Sequence, residues 1–204
     1  HPTAYGVYLG MKAATKFVFG NDSLEGKKIA LQGIGKVGAK LIEYLVKENA
    51  NVYVNDINAD RLKSVIDKYE VKSFKNSELY SMGLDIFSPC ALGGILNSES
   101  IKKLNCKIIA GAANNQLEND KIHDIELKER NIVYVPDFLI NSGGIISVYH
   151  EKIQDLSKEK VFSVTENIYS KVEDVLNLSS KNNISTNASA MKIALDRIDR
   201  NKKK

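Results

Sequence analysis

Hydrophobic positions change period along this chain, and each change marks an element. After Pro2-Thr3, the residues Tyr5, Tyr8, Leu9, Ala13, Phe17 and Val18 recur at helical spacing, and Gly20 stands where a C-cap is expected, so residues 1-20 read as a leading helix. Lys28-Ile29-Ala30-Leu31-Gln32 is a short apolar run of the length of a buried parallel strand. Val37, Leu41, Ile42, Leu45 and Val46 then return to the helical period. Val52-Tyr53-Val54, β-branched and aromatic, predicts a second strand ending at Asn55-Asp56. A third helix is expected over Ala59 to Lys68, with Leu62, Val65 and Ile66 on one side, before the strand Leu84-Asp85-Ile86-Phe87 that Pro89 stops.

The alternation continues with Lys107-Ile108-Ile109-Ala110 as a strand, Asp120 to Arg130 as a helix, and Ile132-Val133-Tyr134-Val135 as a strand ended by Pro136. From Ile145 onward the pattern is helical. One stripe is Val161, Val164, Ile168, Val172, Val175 and Leu176; another is Met191, Ala194, Leu195 and Ile198, with Asn182, Asn183 and Ser185 between them. Right-handed crossovers assemble such an order into an α/β, Rossmann-type doubly wound, mostly parallel sheet with helices on both faces. Residues from about 152 to 204 form a helical C-terminal extension.

The glycines decide what this sheet is for. Gly33-Ile34-Gly35-Lys36-Val37-Gly38 is a G-x-G-x-x-G placed directly after a predicted strand and opening a predicted helix. In that setting Gly33 permits the tight turn, Gly35 lets backbone approach a diphosphate, and Gly38 allows close helix packing. The helix start supplies unpaired N–H groups and a partial positive charge. Asp56, at the end of the second strand, is placed to accept hydrogen bonds from ribose hydroxyls and to repel a 2′-phosphate, so NAD is the expected cofactor. Arg61 keeps NADP open as the alternative, since an Arg beside the acid accommodates that phosphate.

At 204 residues and 43% hydrophobic, the chain is long enough to bury the core of one domain, with or without an appendage. No apolar run approaches the ~18 residues of a membrane span, and a soluble chain without a membrane partner is expected. Much of the net charge of +4 gathers at Arg197, Arg200, Lys202, Lys203 and Lys204, which reads as a frayed basic tail rather than a nucleic-acid surface. Cys90 and Cys106 have neither metal nor disulfide-framework spacing, and His1, His123 and His150 are far apart, so no metal is expected and a reducing, cytoplasmic compartment fits best. Because the first residue is His1, the N-terminus reads as a cut.

Further strings resemble the amino-acid dehydrogenases acting on glutamate, leucine, phenylalanine and valine, the leucine branch above all. They are Thr3-Ala4-Tyr5-Gly6-Val7, Gln32-Gly33-Ile34-Gly35, Asn55-Asp56-Ile57-Asn58, Pro89-Cys90-Ala91-Leu92-Gly93, Gly111-Ala112-Ala113-Asn114-Asn115-Gln116, Pro136-Asp137 and Asn141-Ser142-Gly143-Gly144. They run in family order to about Glu151, and the match loosens from about Gln154. The resemblance implies that Thr3 lies near the nicotinamide carboxamide, that Cys90, Ala91 and Leu92 flank the adenine and ribose, that Ile57 also touches the cofactor, that Asn114 meets the nicotinamide ribose, and that Asn141 faces the ring. For Thr3, Asn114 and Asn141 the alternative is a turn or cap residue. Cys90 reads as a small buried filler rather than a nucleophile. Lys36 replaces a commoner small or amide residue and adds charge near the phosphates, and Ser142 stands for the usual Ala.

In glutamate-specific relatives a Ser occupies the position of Val148; here Ile145 and Val148, three apart on one helix face, present only hydrocarbon. A branched-chain apolar substrate is thus expected, with phenylalanine and glutamate types behind it, unless both residues are plain core. The family's catalytic lysines and acid belong to a separate N-terminal domain, and no Gly-Gly-Gly-Lys string occurs in this sequence. The expectation is a full enzyme, homo-oligomeric, that deaminates an L-amino acid, of which this chain binds NAD without turnover. A stand-alone NAD-sensing module is the competing reading.

Overall fold

A computed structural model describes residues 1–152 and 157–202, without the side chain of residue 201. Gln154, Lys203 and Lys204, named above, lie outside the described residues. The chain opens with α1 (Pro2–Phe19), whose last turn closes when the Gly20 N–H meets the Lys16 carbonyl at 2.9 Å with Gly20 at φ +83°. There follow β1 (Lys28–Gln32), α2 (Lys36–Lys47), β2 (Asn51–Asn55), α3 (Ala59–Tyr69), β3 (Lys72–Ser73) and β4 (Leu84–Pro89). The second half comprises α4 (Ser98–Lys103), β5 (Cys106–Ile109), α5 (Asp120–Glu129), β6 (Val133–Tyr134), α6 (Asp137–Ile140), α7 (Gly143–Lys152), α8 (Lys158–Asn182) and α9 (Thr186–Lys202).

The six strands lie in the order β3-β2-β1-β4-β5-β6, and every pairing is parallel. "Mostly parallel" thus becomes wholly parallel among the described strands. Alternate strand residues face opposite layers. Ile29, Leu31, Ile86 and Ile108 pack with α1, α2 and α8, while Ala30, Phe87 and Ile109 pack with Leu96, Ile101 and Leu127 on the other side. The order reverses between β1 and β4, where register pairs Gln32 with Pro89, and this is the switch point at which doubly wound sheets open a crevice.

Four differences from the sequence reading have physical causes. The buried face of α1 is largely its small side, Ala4, Gly6, Val7, Gly10, Met11, Ala13, Ala14 and Thr15, and of the predicted stripe Ala13 alone is buried. A Cβ on Gly6 would stand 2.5 Å from the Ile140 carbonyl oxygen, so bare backbone lets α6 press against α1. Tyr5 and Tyr8 instead stack at the rim, with hydroxyls donating to Glu166 and Glu48. Pro89 does stop β4, but as its last residue rather than from beyond Phe87, and its carbonyl accepts from the Ala113 N–H at 3.0 Å.

On α9, Met191, Leu195 and Ile198 are about half exposed, at 47%, 54% and 50%, because the helix packs through its first turns, where Ser189 and Ala190 are buried. Of the basic residues at this end, Arg197, Arg200 and Lys202 are helical. β3, α4, α6 and the 3₁₀ turn Leu79–Ser81 are too short to show a period, although α4 carries a capping box between Asn97 and Ser100. Among the described residues no helix is long and apolar enough to cross a membrane, and no His, Cys, Asp and Glu side chains cluster as a metal site would.

Candidate functional site

The carboxyl edge of the sheet gathers the sequence-predicted residues into two groups. The first surrounds the switch point. β1 leads into Gly33, whose φ of +106° belongs to the left-handed half of backbone space and whose N–H donates to the Asn55 carbonyl at 2.7 Å. A Cβ there would come within 2.7 Å of the Ala91 backbone nitrogen, so the turn lies directly against the loop after β4. On Gly38 a Cβ would collide with the Gly33 carbonyl, which ties the start of α2 down onto the turn.

Gly35 differs from both. It is the N-cap of α2 in extended conformation, and a Cβ built on it meets nothing within 4 Å. The protein's own packing therefore does not require glycine at this position. α2 opens with no side-chain cap and no acid in its first turn, leaving its amide end to the crevice; Lys36 is exposed there and Val37 half-buried.

Across the turn, Asp56 accepts from the Ile34 N–H at 2.5 Å through one oxygen and from the Asn58 N–H at 2.8 Å through the other. The acid predicted from the end of β2 thus sits against the glycine loop. Asn58 in turn caps α3, taking the Arg61 N–H at 2.9 Å, while the Arg61 side chain is exposed. Ile57 is fully exposed and Leu92 is 74% exposed, an unusual placing for two hydrocarbons at loop ends after β2 and β4. The Cys90 thiol lies 3.4 Å from the Ser88 hydroxyl, and burial pushes its pKa up, which fits a filler and opposes a thiolate nucleophile.

The second group is built on β5 and α6. Asn141, the C-cap of α6, donates from Nδ2 to Oδ1 of Asn114 at 2.6 Å, so the two predicted asparagines meet across 27 residues of sequence. Sequence reasoning missed what holds them. The buried Asp137 accepts the Gln116 N–H at 2.8 Å, and Gln116 Nε2 donates to the carbonyls of Gly111 at 2.8 Å and Ala113 at 3.0 Å, folding the loop onto itself. Both residues stand in the quoted strings, but nothing in their spacing pairs them.

Thr3 lies over the start of α7: a Cβ on Gly144 would be 3.0 Å from its hydroxyl, and one on Gly143 would be 2.9 Å from its backbone nitrogen. Ile145 and Val148 do lie on one helix, α7, and are 73% and 57% exposed. Neither belongs to the core of the described residues. A cavity of about 620 Å³ lies elsewhere, behind the Asn114 loop between α5, α6 and α9, and is lined by Asn115, Asp137, Phe138 and Met191 among others.

A doubly wound parallel sheet with a glycine turn at its switch point and an acid closing on that turn defines a Rossmann-type α/β domain. The model of the Glutamate/Leucine/Phenylalanine/Valine dehydrogenase family matches residues 53–204, and the chain belongs to that family. It is 43% identical over 198 residues to the leucine dehydrogenase of Bacillus subtilis (strain 168), covering 97% of this chain and 54% of that protein. Against the phenylalanine dehydrogenase of Thermoactinomyces intermedius it is 39% identical over 199 residues, covering 97% and 54%. The crystal structure of L-tryptophan dehydrogenase from Nostoc punctiforme superposes with a TM-score of 0.94 at 40% identity, over 97% of this chain and 60% of that one. The chain spans about half the length of the curated relatives it matches.

Proposed function

We propose that this chain is the NAD-holding part of an amino-acid dehydrogenase that converts an apolar, leucine-like L-amino acid to its 2-oxo acid and ammonium. The observation that carries this reading is the pairing of Gly35, glycine with no internal packing reason to be one, with Asp56 seated against the same turn. The residues present fit a dinucleotide. The space that a Cβ on Gly35 would fill is left for a diphosphate, and the start of α2 turns N–H donors and a partial positive charge toward it.

When bound, NAD supplies the hydride acceptor. The chain's own residues bind and orient. Asp56 offers its carboxylate to the ribose hydroxyls and repels a 2′-phosphate, and Lys36 adds charge beside the diphosphate. Ile57, Cys90, Ala91 and Leu92 border the adenine side, while Asn114, Asn141 and Thr3 hold the nicotinamide side. Ile145 and Val148 offer hydrocarbon that is already exposed, so an aliphatic substrate gains roughly 25 cal/mol per Å² buried there. A carboxylate in its place would go unpaired at a cost of several kcal/mol, which sets glutamate last and phenylalanine second. The proton-handling groups are assigned to a further domain of a homo-oligomeric, cytoplasmic enzyme whose closure excludes water.

Calorimetric titration of the 204-residue chain with NAD and NADP, in wild type and Asp56→Ala, tests the assignment. Wild type should favour NAD, and the variant should lose about tenfold in NAD affinity and narrow the preference. Wild type that ignores NAD, or a variant with an unchanged NAD to NADP ratio, overturns it. Given L-leucine and NAD together, the chain should make no NADH; sustained turnover would place the catalytic groups within it.

A further inference from the structure

Asn114 and Asn141 belong to different loops, and a hydrogen bond between two exposed amides is too weak to fix them alone. What joins the loops lies beneath. Asp137 uses two of its oxygens at once. Its main-chain carbonyl accepts the Asn141 N–H at 2.9 Å, and its carboxylate accepts the Gln116 N–H at 2.8 Å, two residues beyond Asn114. With Asn141 Nδ2 donating to Asn114 Oδ1 at 2.6 Å, the path from Asn114 through Gln116, Asp137 and Asn141 closes on itself.

The ring is anchored. Asp137 is only 7% exposed, its own N–H donates to the Tyr134 hydroxyl at 3.3 Å, and Tyr134 lies at the end of β6 with 2% exposure. A carboxylate accepting a backbone N–H makes a charge-assisted bond, roughly twice as strong as a neutral one. Removing it would leave the Gln116 N–H without its partner in a buried setting. The α6 segment that carries Asp137 is itself clamped, since Gly6 and Gly10 of α1 let Ile140 approach to backbone contact.

We propose that Asp137 is a positioning residue for the nicotinamide half of the cofactor, holding Asn114 and Asn141 as one rigid pair. The inference rests on the reading that this chain binds NAD. It makes a separable claim, because Asp137 lies on the β5 and β6 side while the glycine turn and Asp56 serve the other half of the nucleotide.

The test is calorimetric titration of the whole chain with NADH and with ADP, which lacks the nicotinamide and its ribose. Asp137→Ala should lower NADH affinity about tenfold and leave ADP affinity within about twofold, with Asp137→Asn in between because its amide oxygen is a neutral acceptor. A role in general stability would lower both ligands together. An NADH to ADP ratio equal to wild type in the Ala variant overturns the proposal. If that variant does not fold, shown by loss of ADP binding, the Asn variant decides: a ratio below wild type supports the proposal and an unchanged one defeats it. Wild type that binds neither nucleotide defeats the cofactor assignment instead.

Discussion

Between residues 21 and 87 no polar or charged side chain is buried, whereas the half of the chain from β5 onward buries Gln116, His123, Asp124 and Asp137. The difference reflects two ways of fixing a loop at a sheet edge. Around β1 and β2 the loop is set chiefly by backbone shape, a left-handed Gly33, a Gly38 too close to the turn for any side chain, and hydrocarbon beneath, with the half-buried Asp56 carboxylate closing on it from the rim. Around β5 and β6 it is set by side chains that replace water for a buried N–H and for buried carbonyls. The first kind of loop is rigid because little else fits. The second is held by polar groups that partner one another, Gln116 through its N–H and Nε2 although its Oε1 has no hydrogen-bond partner, which makes it cooperative.

The sharpest way to break this contrast is to add one methyl group at a time to the glycine turn. Gly38→Ala drives a Cβ into the Gly33 carbonyl, backbone against backbone, and should cost about 3 kcal/mol, or roughly 6–12 °C in melting temperature. Gly35→Ala places its Cβ where no protein atom lies and keeps an ordinary φ of −76°, so stability should stay within about 1 kcal/mol. NAD affinity should nevertheless fall by at least about tenfold, because that methyl group would occupy the place proposed for the diphosphate. Thermal melts and titrations of the two variants read both quantities. Equal melting temperatures would show that Gly38 is not pressed against the turn, and full NAD binding by Gly35→Ala that no diphosphate lies at Gly35.

A smaller effect probes the side-chain half. Asn114→Ala and Asn141→Ala should each weaken NADH binding, and the double variant should lose less than the sum, by about 1 kcal/mol of coupling. ADP affinity should show no coupling. Additive losses in NADH affinity would mean that the asparagines act separately and that the loop is not a unit.

The same contrast explains which parts of this molecule could be read in its sequence. Gly33, Gly35, Gly38 and Asp56 were legible because their constraint is local, a strand and a helix flanking three glycines within six residues, with the acid at the next strand's end. Asn114 and Asn141 are singled out only by family strings. The pairing of Gln116 with Asp137 was invisible, since its partners are 21 residues apart and joined by tertiary structure alone. The α1 stripe was misread for a related reason: periodicity weights large apolar residues, while the packed face there consists largely of small ones that permit close approach. On α9 the period was right and the burial was not, because a stripe says which residues share a face and not what covers it.

The weakest expected effect comes from the alkaline limb of stability, and it too should lie in the second half. Cys106, the first residue of β5, is 7% exposed, and burial pushes its thiol from 9.0 up to about 12. The folded state therefore keeps a proton that the unfolded chain releases above pH 9. Such a group contributes its full share of stability below pH 9, and that share is lost as pH rises from about 9 toward about 12. One thiol accounts for about 1.4 kcal/mol by pH 10. In urea denaturation of wild type and Cys106→Ala, the variant should start lower, from the lost packing, and fall less steeply between pH 8 and pH 10. The slope carries the information and the starting level does not. Parallel slopes would mean that the thiol titrates alike in both states, and that the buried chemistry of this half stops short of β5.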